Sequence, residues 1–106
     1  MSKSNSPTFR CCRNQGFQVS FSNGWLISVQ FGNWHYCSNK GKGATDLKSF
    51  MEQPLGDYES SDAEIAVLSP NGDFVKPDGF DGFEYDVKGF CNPDDFSRLV
   101  QWVASR

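Results

Sequence analysis

Trp34, His35, Tyr36, Asn39, Lys40 and Lys42 form the densest cluster of rings and cations in this 106-residue chain. Aromatic rings stack on a nucleobase or another flat group, and lysines beside glycine-rich backbone attract phosphate. The run Asn39-Lys40-Gly41-Lys42-Gly43 is not a P-loop, because G-x-x-x-x-G-K-[ST] is absent, and it does not follow the strand-to-helix pattern of a dinucleotide fingerprint. The cluster therefore points to a small nucleotide or similar anion, held by stacking and charge. The competing reading is a solvated loop beside edge aromatics that only pack.

His35 is the only histidine, so acid–base chemistry at neutral pH has to start there. With Cys37 it makes an H-x-C pair, and on a strand the two would share a face. No nucleophile motif and no orienting third group accompany them, so a Cys/His enzyme stands as an alternative only. Cys11, Cys12, Cys37, Cys91 and His35 lack the paired C-x-x-C spacing that preorganises zinc, and no metal or other cofactor is expected. Asp73, Asp78, Asp81, Glu84 and Asp86 do not have EF-hand spacing; they form a solvated acidic face or meet a basic protein partner.

These residues need a scaffold, and Phe17–Cys37 supplies its signal. Phe17, Val19 and Phe21 alternate with polar residues, as do Trp25, Ile27, Val29 and Phe31, and Asn23-Gly24 between them suits a type I′ hairpin turn. Their second faces carry Ser and Gln, an uncharged surface that something else could contact. Trp34–Cys37 reads as a third, short strand. Residues 62–69 are apolar on both faces, with Ala63, Ile65 and Val67 on one and Ala66 and Leu68 on the other. Pro70-Asn71-Gly72-Asp73 is a turn signal returning into residues 74–76, and Phe83, Tyr85 and Val87 alternate as a half-exposed strand.

The chain then offers Asn92 as an N-cap, Pro93 at the first helical position and Asp94 and Asp95 in the first turn. Phe96, Leu99, Val100 and Val103 make an apolar stripe with Trp102 on its flank, and this helix is expected to cover Ala66 and Leu68. The expectation is an α+β domain: a small antiparallel β-sheet of about five or six strands packed by a C-terminal amphipathic helix. Residues 1–16 read as a flexible leader, residues 17–106 as the domain, and residues 38–61 as a mobile basic loop with a short helix at Leu47, Phe50 and Met51.

Composition fits this picture. Aromatic residues are 15% of the chain, so bulky rings can fill a core with little leucine or isoleucine. Net charge is −3, yet residues 1–50 carry six basic side chains against one acidic, and residues 51–106 four against twelve. No apolar run approaches a membrane span and no apolar signal-peptide core is present, which predicts a cytoplasmic protein with reduced thiols.

The string SNGWLISVQFGNWHYCSNK, followed by AEIAVLSPNGDFV, VKGF and the closing helix, resembles a group of small bacteriophage-encoded proteins that carry no agreed biochemical function. The resemblance covers most of residues 17–104 and rests on NG-aromatic-x-x-SVQ-x-G and Y-C-x-N. It implies an accessory binding protein in the cytoplasm of the infected host cell. Such a protein would antagonise host defence by sequestering a small nucleotide signal or by binding a host protein. A domain this small offers little internal cavity, which favours a ligand site between subunits of a homo-oligomer. No membrane or nucleic-acid partner is expected; the alternative is a minor virion or assembly protein using the Ser/Gln face.

Overall fold

The computed structural model describes residues 7–12, 15–32, 35–39, 59–84 and 86–106. Six strands, β1 (Thr8–Cys11), β2 (Gly16–Ser20), β3 (Leu26–Gln30), β4 (Ala63–Leu68), β5 (Phe83–Glu84) and β6 (Val87–Cys91), precede helix α1 (Pro93–Ala104). They form one antiparallel sheet in the order β1-β2-β3-β4-β6-β5, with α1 packed on one face. The fold is α+β, as the alternating pattern and the capped helix predict. Thr8–Cys11, expected within a flexible leader, is instead an edge strand paired with β2.

The β2–β3 register aligns Phe17 with Val29 and Val19 with Ile27, and β3–β4 continues those rows into Ile65 and Val67. Pairing of like apolar residues across three strands makes one wide hydrophobic face. Ile27, Ile65, Val67, Leu99 and Val103 are fully buried between that face and α1, each worth about 1.5–3 kcal/mol against exposure. The helix therefore covers Ile65 and Val67, not Ala66 and Leu68 as expected. The two faces of β4 look alike in sequence, and the bulky rows of β2 and β3 decide between them. Gln18, Ser28, Gln30 and Glu64 lie on the opposite face, which no described helix covers.

Asn92 caps α1 as its sequence predicts: its Oδ1 accepts from the Asp95 N–H at 2.8 Å, and Pro93 opens the first turn. Two edge-to-face aromatic pairs pin the helix to the sheet. Phe17 meets Phe96 with centroids 6.2 Å apart, and Trp25 meets Trp102 at 5.6 Å, each worth about 0.5–1.5 kcal/mol beyond area. Arg106 stacks on Trp102 3.9 Å from its centroid.

The Asn23-Gly24 turn departs from type I′. Only Gly24 has positive φ (91°); its N–H donates to Phe21 O at 2.9 Å and the Phe21 N–H to Trp25 O at 2.8 Å. That is a three-residue loop with glycine in the left-handed position. The Asn23 side chain explains the choice, because it spans two partners: Oδ1 accepts from Trp25 N–H at 3.0 Å and Nδ2 donates to Val103 O at 2.9 Å. The hairpin tip thereby holds the end of α1. Ser69 to Asp73 repeats the same bond pattern around Gly72 (φ 85°), but the returning residues make only a bridge from Phe74 to Leu68.

Two expected strands change form. Residues 83–87 are not one strand: Glu84 pairs with Val87, so the alternation folds back on itself as the β5–β6 hairpin. Residues 35–37 form bends, closed locally by His35 N–H to Gly32 O at 3.2 Å and Cys37 N–H to His35 O at 2.8 Å. The expected short helix near Leu47, Phe50 and Met51 lies outside the described residues.

Candidate functional site

Of the six residues in the ring-and-cation cluster, His35, Tyr36 and Asn39 are described; Trp34, Lys40 and Lys42 lie outside the described residues. The described three sit on a short segment, 35–39, that crosses the end of the sheet and is tied down along its length. Asn39 Nδ2 donates to Phe31 O at 2.8 Å and to Glu59 O at 3.1 Å, so both amide hydrogens are spent on the scaffold. Ser38 places its N–H 2.6 Å and its hydroxyl 2.7 Å from the two carboxylate oxygens of Asp62. The Tyr36 carbonyl accepts the Phe90 N–H at 2.9 Å.

His35 and Cys37 do turn toward a common place, and it is the backbone of Gly32. The Gly32 N–H donates to His35 Nδ1 at 3.0 Å, and the Cys37 Sγ donates to Gly32 O at 3.3 Å. A lone pair on Nδ1 engaged by an N–H requires the neutral ring with its proton on Nε2. A Cβ on Gly32 would stand 1.9 Å from Oε1 of the buried Gln15, so a larger residue there would have to displace that side chain. Burial holds the Cys37 thiol above its ordinary pKa, against the opposing pull of the Asn39 N–H and the Ser60 hydroxyl. A nucleophilic cysteine needs the reverse shift. His35 and Cys37 are thus placed as fasteners of the segment.

Tyr36 is different, being 52% exposed. Opposite it stands Phe90, 59% exposed and, among the described residues, the one non-glycine at positive φ (52°). The cause is a bulge: β4 advances from Ala63 to Ile65 while β6 runs from Cys91 to Lys88, one residue more. Such an insertion breaks the strict alternation and re-aims a side chain. Gly89 makes room beside it, because a Cβ there would meet Tyr36 Cβ at 3.0 Å.

A groove of about 320 Å³ is lined by Tyr36, Phe90 and Glu84 together with Gly82, Val87 and Gly89. The Glu84 carboxylate is exposed and makes no hydrogen bond or ion pair with any described residue. By strand alternation Glu84 and Val87 share one side of the β5–β6 hairpin, while Phe83 and Lys88 share the other. Lys88 is buried and donates its Nζ to Asp81 O at 2.5 Å, so it does not answer Glu84.

Of the residues lining this groove, the ring-and-cation cluster read from sequence contains Tyr36 and the acidic set contains Glu84, while Phe90 and the glycines belong to neither. The available signal was Gly89 within a strand pattern, which marks a bulge or a close approach of backbone. A second cavity, of about 260 Å³, opens between the sheet and the start of α1, lined by Phe17, Val29, Phe31, Ile65 and Phe96 with Asp62 at its rim. Its walls are core side chains, and its carboxylate is engaged by Ser38. Among the described residues no three His, Cys, Asp or Glu side chains are grouped to hold a metal ion, and no helix is long and apolar enough to cross a membrane.

Comparison with protein-family models, with curated proteins and with solved structures finds no match to this chain.

Proposed function

We propose that this chain is a phage-encoded accessory protein that works by binding, an antagonist of host defence that takes its partner in the groove lined by Tyr36 and Phe90. The observation that carries the binding reading is the exposed aromatic pair itself. Phe90 is kept out of the core by a left-handed backbone that a phenylalanine adopts only at a cost, and such strain clusters at ligand sites. The phage and host-defence part of the reading rests on the sequence resemblance, which also supplies the host cytoplasm as its place of action.

The partner is a host protein or a small nucleotide. The nucleotide version leans for stacking and charge on Trp34, Lys40 and Lys42, which neighbour His35, Tyr36 and Asn39 in sequence. Two assays test the reading. Purified protein is denatured and searched for released nucleotides, and folded protein is titrated calorimetrically with cyclic nucleotides. In parallel the wild type and the Tyr36→Ala/Phe90→Gly double variant capture partners from infected cells. A species held by the wild type and lost by the folded double variant supports the proposal. Equal capture by both, with no heat from any nucleotide, overturns it.

The alternative of a virion or assembly protein draws on the face of Gln18, Ser28 and Gln30, which carries no charge across β2 and β3. Mass spectrometry of purified particles decides, since an accessory factor is absent from them.

A further inference from the structure

The groove has a chemical preference that neither ring supplies. We propose that it is a receptor for an arginine side chain, presented by a basic segment of a partner protein. This rests on the binding reading above and narrows it to a partner chemistry.

Three observations converge on a cation. Tyr36 and Phe90 offer exposed rings to the groove, and π-faces attract a guanidinium or ammonium group. Glu84 adds a carboxylate that no described residue engages, so it can accept two N–H bonds without giving any up. Among the described residues that charge has no ion-pair partner: Lys88 shares the other side of the hairpin with Phe83, and its Nζ, which lies against Gly82, is committed to Asp81 O, while Glu64, beside Gln30, accepts the Tyr36 N–H at 3.4 Å. An anionic phosphate placed against Glu84 would meet repulsion at the described part of the groove.

Arginine fits better than lysine. Its guanidinium is flat, so it can lie against a ring while its edge forms a two-bond fork with a carboxylate. An ammonium has no plane to stack. The lining of Gly82, Val87 and Gly89 has no donor side chain and suits the apolar stem that an arginine trails behind its head.

The test uses the full chain, isotopically labelled, with its amide resonances followed during titration. The probes are blocked tripeptides Gly-Arg-Gly, Gly-Lys-Gly and Gly-norleucine-Gly, together with spermidine and guanosine monophosphate. The arginine peptide is expected to shift Tyr36, Glu84 and Phe90 with at least threefold higher affinity than the lysine peptide. The norleucine peptide is expected to shift nothing. Guanosine monophosphate is expected to shift neither Tyr36 nor Phe90 in the wild type, and Glu84→Gln should weaken the arginine peptide about tenfold.

Equal binding of the norleucine peptide or of spermidine overturns the arginine assignment, and so does an indifferent Glu84→Gln. If guanosine monophosphate shifts Tyr36 and Phe90 equally in wild type and Glu84→Gln, the groove stands as a binding site and the arginine assignment falls. If Tyr36→Ala and Phe90→Gly alter no response to any probe, the groove itself is refuted.

Discussion

The Phe90 N–H donates to the Tyr36 carbonyl at 2.9 Å, which fastens the segment bearing one exposed ring to the bulge bearing the other. Without that bond the two rings belong to separate pieces of chain. With it they are joined by a direct backbone contact, beside the bonds that tie the 35–39 segment to Phe31, Glu59 and Asp62.

Phenylalanine at φ 52° pays for its position, and substitution should reveal the strain. Phe90→Gly removes about 1 kcal/mol of left-handed penalty and adds a comparable loss through a freer unfolded chain, so thermal stability should change by less than about 1 kcal/mol. Phe90→Val, β-branched and poorly suited to that conformation, should fall below the glycine variant by about 1–2 kcal/mol. Thermal denaturation of both proteins checks the order; a valine variant as stable as the glycine one removes the strain argument. Both should lose groove binding.

Gly16 is required for a different reason. A Cβ on it would stand 2.2 Å from Val29 O and 2.9 Å from Gln30 Cα, both backbone atoms of the neighbouring strand. Gly16→Ala must push β2 off β3 and should cost about 1–3 kcal/mol or more in urea denaturation. Gly72→Ala makes the contrast: no atom lies within 4 Å of its Cβ, and only φ 85° is strained. Its cost should stay near 1 kcal/mol.

Asn23 links the hairpin tip to the end of α1 through bonds of 3.0 Å and 2.9 Å. Asn23→Ala removes both and should destabilise by about 1–2 kcal/mol. Asn23→Asp retains the acceptor for Trp25 N–H but sets a carboxylate against the Val103 carbonyl, so it should be no better than alanine. Equilibrium unfolding of the pair, followed by tryptophan fluorescence, gives the comparison.

The buried thiols predict an alkaline limit. Burial pushes Cys91 up to about 11 from an ordinary value near 9. The folded state then keeps a proton that the unfolded chain releases, so stability is intact below about pH 9 and falls as pH climbs towards 11, by on the order of 2 kcal/mol. Cys91→Ala should flatten that decline relative to its own neutral-pH value. At pH 8 an alkylating reagent should modify exposed Cys11 quickly, and Cys37 and Cys91 only on unfolding.

Much of this architecture was readable because its causes are local. Alternation in Phe17–Phe31 and the Asn92-Pro93-Asp94-Asp95 start of α1 each act within a few residues, so sequence alone carries them. The face that α1 covers was not readable, because Ala63-Glu64-Ile65-Ala66-Val67-Leu68 is apolar on both sides and only pairing with β3 separates them. Residues 34–37 read as a strand by composition, yet the bonds of Tyr36 and Ser38 run to Phe90 and Asp62, whose nearness no local pattern encodes. Tyr36 stands out by its neighbours in sequence and Glu84 by its acidic ones, but the exposure of Phe90 has no local signal, because a one-residue insertion in β6 has meaning only against β4.

The bond from Asn23 to Val103 joins residues 80 positions apart. A ribosome makes the tip of the hairpin long before it makes the carbonyl that the tip will hold. The β2–β3 hairpin can close early on its own turn, but its corner amide waits on water until the last turn of the helix arrives. A disturbance at the end of the helix should therefore be felt at the tip of the β2–β3 hairpin.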